Sequence, residues 1–277
     1  MLWNAKNGQI RIGGTCTRFV SFGHGEKAFV ILPGLSDGLT TVKGKALLLA
    51  KPYRRFFDRY TVFMFSRKDV MPDGCSIRDM ADDQARAMET LGLQNAAVMG
   101  VSEGGMIAQC LAIDRPDLVG KLVIAVSAPC VNATIRARVE SWIAMAERGD
   151  HKRLMIDTAE NSYSPAYLEK YRKIYPLIGA IGKPADYGRF LINAKAILSF
   201  DASREVSGIS CPTLIIGGGE DKIVGIEASR ELNERIAGSE LYVYEGLGHA
   251  AYEEAKDFNE RVFRFLEAGR CGEDRSC

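Results

Sequence analysis

One serine is flanked by glycines at a spacing that suits nucleophilic chemistry. Residues 100–104 read GVSEG, the G-x-S-x-G pattern in which a sharp turn between a strand and a helix exposes the serine hydroxyl. The motif follows the apolar run 96–99 and precedes an apolar-periodic stretch that begins at Met106. Glycine is required where the strand turns back into the helix, because a side chain there would collide with the neighbouring backbone. We therefore predict that Ser102 is a nucleophile.

Two further groups of suitable chemistry follow apolar runs later in the chain. Asp221 comes after residues 211–219, an apolar strand that ends in glycines, and His249 comes after the strand 241–244. The carboxyl ends of parallel strands share one edge of an open α/β sheet, where active sites form. A serine hydroxyl needs a general base, so His249 would take its proton and Asp221 would orient the imidazole. The chain order Ser, Asp, His is the order expected for a serine in this kind of turn.

Several segments in the same order resemble the α/β-hydrolase-fold serine hydrolases, and the resemblance extends over nearly the whole chain. The matching segments are residues 31–35, 100–104, 114–119, 211–217 with Asp221, and 248–249. The resemblance implies catalysis by Ser102, His249 and Asp221. Glu220 is a neighbouring carboxylate, but Asp221 has the family's position before the residues 222–224.

The same resemblance implies an oxyanion hole made of two backbone N–H groups, those of Leu35 and Glu103. The chain departs from the family pattern at Pro33, where many relatives have histidine. Proline has no N–H to donate, but Leu35 retains one. Glu103 is a second departure, because a carboxylate near an oxyanion opposes the developing negative charge. Three interpretations of its side chain stay open: it is solvated, it pairs with a lysine or arginine, or it selects a polar or cationic substrate group.

Alternating strand and helix patterns predict a mostly parallel sheet with helices on both faces. Residues 61–65 form a further predicted strand, and residues 76–91 form a predicted helix with Ser76 as N-cap and Asp79 at the third helical position. His24 lies between two strand-like stretches, so residues 23–25 are predicted to form a hairpin turn. Neither His24 nor His151 is assigned a chemical role.

The alternation of strands and helices stops in the middle of the chain. Between Pro129 and about Ser207 the sequence contains helical patterns, such as residues 138–148 and 186–198, and no convincing strand. We therefore divide the chain into an α/β core, residues 1–128 and 207–277, and an inserted helical cap, residues 129–206. The resemblance places such a cap over the nucleophile.

Four tyrosines recur at every fourth position within the predicted cap. On a single helix they would form one slowly drifting stripe, which is more often a packing surface than a binding surface. Their hydroxyls can nevertheless face a pocket while the rings are buried. The candidate substrate-binding residues are Tyr163, Tyr167, Tyr171 and Tyr175.

The composition is that of an ordinary globular enzyme. The chain has 277 residues, 47% of them hydrophobic, and a formal net charge of +1, which gives no support for binding to nucleic acid. No apolar run is long enough to span a membrane, and the first residues lack the apolar core of a signal peptide. Seven cysteines, several in apolar runs, are expected to be free thiols in a reducing cytoplasm. We expect a monomer or homodimer without cofactor or metal, since only three histidines and no metal-binding motif occur.

Together these observations predict a serine hydrolase that cleaves a small-molecule ester through an acyl-Ser102 intermediate, with thioesters and amides as further possible substrates. Fold alone does not determine function. Two other classes stay open: a ligand-binding receptor of slow turnover on the same fold, and a lyase, acyltransferase or cofactor-free haloperoxidase that uses the same triad.

Overall fold

The protein is described here by a computed structural model that covers residues 2–171 and 182–269. Within these residues eight strands form one sheet in the order β1-β2-β4-β3-β5-β6-β7-β8. Strands β1 and β2 are antiparallel to their neighbours, and β3 to β8 are parallel. The strands are β1 Lys6–Ile12, β2 Thr15–Gly23, β3 Lys27–Leu32, β4 Tyr60–Lys68, β5 Ala96–Val101, β6 Val119–Ala125, β7 Thr213–Gly218 and β8 Glu240–Tyr244.

Helices alternate with the parallel strands, as the sequence patterns predict. The described α-helices are α1 Ala46–Ala50, α2 Ile77–Thr90, α3 Glu103–Asp114, α4 Ala133–Glu147, α5 His151–Ser162, α6 Pro165–Tyr171, α7 Gly188–Leu198, α8 Ile226–Arg235, α9 Ala251–Glu254 and α10 Phe258–Glu267. Short 3₁₀-helices occupy Leu2–Asn4, Leu35–Gly38, Lys51–Phe56 and Val206–Gly208. In the described part of the chain, no helix combines the length and the apolar character needed to cross a membrane.

The sheet is buried on both faces because its central strands are apolar at successive positions. In β3, Val30 and Leu32 pack on one face, in the hydrophobic cluster that also contains residues of α2 and α3. Phe29 and Ile31 pack on the other face, in the cluster that contains residues of α10. Continuous apolar runs of this kind are typical of parallel strands covered on both sides. The expected α/β architecture is therefore confirmed.

Helix α2 begins at the predicted N-cap. The backbone N–H of Asp79 donates to Ser76 Oγ at 3.1 Å, and the backbone N–H of Ser76 donates to Asp79 Oδ2 at 2.8 Å. This reciprocal pair is a capping box, which satisfies two N–H groups that the first helical turn leaves without an intrahelical acceptor.

The predicted hairpin at residues 23–25 is wrong. Strand β2 pairs with β4 and not with β3, so His24 lies in a connection between strands that are not neighbours. His24 approaches Asp58 at 3.2 Å on the surface. The alternating pattern of β2 predicts a strand, but strand pairing depends on β4, which lies far along the chain.

The segment between β6 and β7 is helical in its described part and closes at its base. The backbone N–H of Val131 donates to the carbonyl of Phe200 at 3.2 Å, and the N–H of Ala202 donates to the carbonyl of Pro129 at 2.8 Å. Cys130 and Asp201 form an antiparallel bridge between these bonds. The two ends of the segment therefore meet close to the predicted boundaries, which stay predictions.

Candidate active site

Ser102 stands at the junction of β5 and α3. Its backbone angles, φ 54° and ψ −120°, lie outside the regions that ordinary residues prefer. A β-carbon built on Gly100 would lie 2.2 Å from the carbonyl oxygen of Gly104, and one built on Gly104 would lie 2.0 Å from the carbonyl oxygen of Leu32. Only glycine fits at both positions. The close backbone approaches in this sharp turn therefore explain both glycines of the sequence motif.

Three side chains predicted to act together are in hydrogen-bond contact. His249 Nε2 lies 2.9 Å from Ser102 Oγ, and His249 Nδ1 lies 2.8 Å from Asp221 Oδ2. His249 and Asp221 are buried, and Ser102 is partly exposed. The turns after β7 and β8 bring Asp221 and His249 to the end of β5, because all three strands are parallel.

Asp221 is fixed by its own turn as well as by the histidine. Its Oδ1 accepts the backbone N–H groups of Ile223 at 2.8 Å and Val224 at 3.0 Å. Burial acts to raise the pKa of Asp221, but His249 and these backbone donors outweigh it and hold that pKa below its ordinary value. The neighbouring Glu220 is exposed. The structure thus brings Asp221, and not Glu220, to His249.

The segment that carries Leu35 lies directly against the serine. A β-carbon built on Gly34 would be 3.3 Å from Ser102 Cβ. Leu35 and Glu103 are the first residues of a 3₁₀-helix and of α3, and the first N–H groups of a helix have no intrahelical acceptor. Both N–H groups are therefore placed at helix N-termini beside Ser102, where they can donate to a developing oxyanion.

Ser127, just after the end of β6, supports the turn at Ser102, and Val126 before it is bonded to β7. Ser127 Oγ donates to the carbonyl of Ser102 at 2.8 Å. Val126 has a φ of 45°, an outlier for a β-branched residue, and its N–H donates to the carbonyl of Ile216 at 2.8 Å. Sequence reasoning assigned no role to either residue.

The side chain of Glu103 is fully buried and paired with an arginine. Its Oε2 lies 2.6 Å from Arg67 Nη2, and neither side chain is more than 2% exposed. The interpretation of Glu103 as a solvated residue is therefore wrong, and pairing with an arginine is what the structure shows. Burial raises the pKa of Glu103 to about 7, and Arg67 opposes that rise.

Two more charged residues extend this pair, and sequence reasoning missed them. Asp37 Oδ2 accepts the backbone N–H of Arg67 at 2.9 Å and lies 2.9 Å from Arg189 Nη2. Arg189 comes from α7, in the segment predicted as cap. The available signal was Arg67 itself, a charged residue two positions after the apolar run 62–65.

The four tyrosines do not share one helix. Tyr163 ends α5 with an extended conformation, and Pro165 begins α6, which contains Tyr167. The rings of Tyr163 and Tyr167 still stack, with centroids 4.7 Å apart, and the Tyr163 hydroxyl donates to Glu253.

Tyr171 is the last residue of α6, and Tyr175 lies outside the described residues. A role for any of the four in substrate binding stays a prediction.

Among residues 2–171 and 182–269, no three or more histidine, cysteine, aspartate or glutamate side chains are grouped so that they could hold a metal ion. In the same part of the chain, Cys16, Cys75, Cys110 and Cys130 are free thiols.

Comparison with known proteins agrees with the fold. The family model described as the alpha/beta hydrolase fold matches residues 28–256. The chain belongs to this family. A relative from Caulobacter sp. (strain K31), named a carbamate hydrolase, RutD, is 27% identical over 246 residues, which are 84% of this chain and 89% of the relative.

Solved structures of the family share the fold at lower identity. MGS-M2, an alpha/beta hydrolase enzyme from a Medee basin deep-sea metagenome library, superposes with a TM-score of 0.82 at 19% identity, over 95% of this chain and 98% of its own. The enol-lactonase from Burkholderia xenovorans LB400 superposes with a TM-score of 0.78 at 20% identity, over 94% and 100%. The family and the names of these relatives support hydrolase activity for this alpha/beta hydrolase.

Proposed function

We propose that this alpha/beta hydrolase is a serine hydrolase that cleaves a small-molecule ester through an acyl-Ser102 intermediate. One observation carries the proposal: the continuous hydrogen-bond path from Ser102 Oγ through His249 to Asp221, with contacts of 2.9 and 2.8 Å. A serine hydroxyl is weakly nucleophilic unless a base takes its proton, and His249 Nε2 is within reach to do so.

In the first half of the reaction, Ser102 Oγ attacks the ester carbonyl carbon while His249 Nε2 accepts the hydroxyl proton. The carbonyl oxygen becomes an oxyanion, which the N–H groups of Leu35 and Glu103 stabilise. Asp221 accepts the hydrogen bond from His249 Nδ1 and stabilises the imidazolium. The ester C–O bond then breaks, the alcohol leaves with the proton from His249, and the acyl group stays on Ser102.

In the second half, a water molecule attacks the acyl-Ser102 carbonyl carbon and gives a proton to His249 Nε2. A second oxyanion forms in the same position and collapses with cleavage of the bond to Ser102 Oγ. His249 returns the proton to Ser102, and the carboxylic acid is released. Each proton that His249 accepts is thus returned within one half-reaction.

A carbamate is the second candidate substrate. The Caulobacter relative that carries a carbamate hydrolase name aligns over 84% of this chain. A carbamate has a carbonyl carbon open to the same attack by Ser102. Its nitrogen donates electrons to the carbonyl, however, and this lowers the rate of the attack. An ester with a good leaving group therefore tests the mechanism first, and an aryl carbamate tests the alternative.

The decisive experiment combines covalent labelling with rapid kinetics. We expect a fluorophosphonate probe to label Ser102, identified by peptide mass spectrometry, and p-nitrophenyl acetate to give a burst of p-nitrophenol before the steady state. Ser102→Ala should lose labelling and the burst, with thermal unfolding nearly unchanged. Turnover of the ester by a well-folded Ser102→Ala variant at the wild-type rate would exclude Ser102 as the nucleophile.

The same assays separate two of the other function classes. A ligand-binding receptor of slow turnover would show labelling and a burst with almost no steady-state release. An acyltransferase would release p-nitrophenol faster when an alcohol or amine acceptor is added. We expect neither behaviour, because water alone is sufficient as the second nucleophile in the proposed reaction.

A further inference from the structure

Arg67 connects the two segments that carry the proposed oxyanion donors. Its guanidinium Nη2 lies 2.6 Å from the carboxylate of Glu103, the residue whose N–H is one donor. Its backbone N–H donates to Asp37 Oδ2 at 2.9 Å, and Asp37 lies two residues after Leu35, whose N–H is the other donor. The side chains of Arg67, Glu103 and Asp37 are 2%, 0% and 1% exposed, so solvent does not compete for these contacts.

Arg189 extends the same cluster into the predicted cap. Its Nη2 lies 2.9 Å from Asp37 Oδ2, and its Nη1 donates to the Asp37 carbonyl at 2.7 Å. Its Nε donates to the carbonyl of Lys68 at 3.0 Å, at the end of β4. One side chain on α7 thus binds both the segment after Leu35 and the strand that carries Arg67.

The backbone of α7 also packs directly on the 3₁₀-helix Leu35–Gly38. A β-carbon built on Gly38 would lie 2.8 Å from Phe190 Cα. The position of α7 and the position of Leu35 are therefore linked by a steric contact as well as by Arg189.

The cluster is not arranged for maximum stability. The cluster contains two arginines and two carboxyl groups, but Glu103 Oε1, Asp37 Oδ1 and Arg67 Nε and Nη1 have no hydrogen-bond partner among the described residues. Buried ion pairs are often no more stabilising than apolar side chains of similar size. Such ion pairs can instead fix the geometry of the backbone around them. Here they hold the two segments that carry Leu35 and Glu103.

We propose that Arg189, Asp37, Arg67 and Glu103 form a positioning chain that aligns the two oxyanion donors and makes their alignment depend on how the cap segment seats on the core. This inference rests on the proposed function of Ser102. None of the four side chains reacts with substrate: each acts through the backbone that it holds.

The test removes the contacts that the cap contributes. Arg189→Met keeps an unbranched apolar stem and loses the guanidinium hydrogen bonds, and Lys195→Met on the exposed side of the same helix is the matched control. We expect Arg189→Met to lower the acylation rate constant with p-nitrophenyl acetate about 10- to 100-fold, because misplacing a reacting group by about 1 Å costs about 100-fold. The half-saturating ester concentration should change little, and Arg189→Lys should be intermediate.

A tetrahedral adduct reports the oxyanion site directly. Phenylboronic acid, which forms such an adduct with an active-site serine, should bind Arg189→Met more weakly in proportion to the loss in acylation rate. Lys195→Met should match the wild type in both measurements. An Arg189→Met variant with unchanged acylation, or with only a raised half-saturating concentration, would overturn the proposal and reduce the cluster to cap packing.

A second variant tests the centre of the chain and guards against misfolding. Arg67→Met/Glu103→Gln removes both charges of the buried pair while keeping the Glu103 N–H, and such paired replacements are often tolerated. We expect a folded protein with slower acylation, and wild-type acylation here would also overturn the proposal. If Ser102→Ala keeps full activity, the proposed function fails instead, whatever the Arg189 variants show.

Discussion

Ser102 is held in a strained backbone conformation by its neighbours. Residues in sparsely populated regions cost about 1–3 kcal/mol each and persist only where surrounding contacts fix them. Here the N–H of Ser102 donates to the carbonyl of Ala125 at 2.9 Å, and its carbonyl accepts Ser127 Oγ at 2.8 Å. The end of β6 and the residue two positions beyond it therefore hold both sides of the peptide backbone at Ser102, and the hydroxyl stays directed at His249.

At the same scale, the two adjacent acidic residues should differ sharply in their effect on catalysis. Asp221→Asn removes the charge that stabilises the imidazolium, so kcat/KM for p-nitrophenyl acetate should fall by about 10⁴, as in other triads. Glu220→Gln is the matched control at an exposed position, and its activity should stay near that of the wild type. A larger loss in Glu220→Gln than in Asp221→Asn would show that the acid is assigned to the wrong residue.

Glu103 should make stability depend on pH. The charges of Arg67 and Arg189 favour the ionised form of its carboxyl, and those of Asp37 and Cys75 oppose it. Burial raises the pKa of Glu103 to about 7 from 4.5, so the folded protein binds this proton more tightly than the unfolded chain. The contribution of this protonation to the free energy of unfolding is fully present below about pH 4.5 and is lost as the pH rises to about 7.

Chemical denaturation at pH 5.0 and 7.5 measures this contribution. The stability of the wild type relative to Glu103→Gln should be higher at pH 5.0 than at pH 7.5, since the neutral carboxyl resembles the amide. Glu234→Gln, at an exposed position, should show no such difference. Equal relative stability of wild type and Glu103→Gln at both pH values would mean that Arg67 keeps Glu103 charged throughout.

At the scale of elements, the packing of α3 on the end of β3 leaves no room for a methyl group. Gly104→Ala places a β-carbon 2.0 Å from the Leu32 carbonyl oxygen, so the helix or the strand must move. We expect a loss of roughly 3 kcal/mol in unfolding free energy, at the upper end for overpacking, together with loss of fluorophosphonate labelling. Gly208→Ala, which meets no atom within 4 Å, should remain stable and active.

Local patterns predicted the elements that local chemistry determines. The N-cap at Ser76 and the turn at Ser102 follow from residues within a few positions of each other. The break between α5 and α6 also had a local signal, because Ser164 precedes Pro165: serine favours the N-cap and proline the first helical position. The four-residue spacing of the tyrosines does not carry this signal, and the structure separates Tyr163, at the end of α5, from Tyr167 in α6.

Nonlocal pairing could not be predicted in the same way. Strand β2 has the same alternating pattern whether it pairs with β3 or with β4, so its neighbour is decided by the sheet as a whole. Arg67 is a similar case, since a charged residue at a strand end normally faces solvent. Its burial depends on Glu103 and Asp37, which lie 36 and 30 positions away.

At the scale of the whole molecule, we expect the cap segment to select the substrate and the core to carry the chemistry. Ser102, His249, Asp221 and the proposed oxyanion donors all lie outside residues 129–206. The four variants Tyr163→Phe, Tyr167→Phe, Tyr171→Phe and Tyr175→Phe should change the ranking of p-nitrophenyl esters of different acyl length wherever a hydroxyl contacts substrate.

Labelling of Ser102 by a small fluorophosphonate should be unchanged in each of these variants, which provides the internal control. Identical rankings in all four folded variants would assign the tyrosines to packing. Loss of labelling in a folded variant would place part of the catalytic machinery within the cap segment and contradict the division proposed here.

The closure of the cap segment at its base has a consequence for protein engineering. Because Pro129 and Ala202 are joined by a hydrogen bond, the two ends of the insertion lie side by side, and the entropy of closing this loop depends only weakly on its length. We therefore expect that residues 131–200 can be exchanged between relatives as a unit without altering the register of β6 and β7. A transplanted segment must keep two features: the close packing of Phe190 on Gly38 and an arginine where Arg189 reaches Asp37.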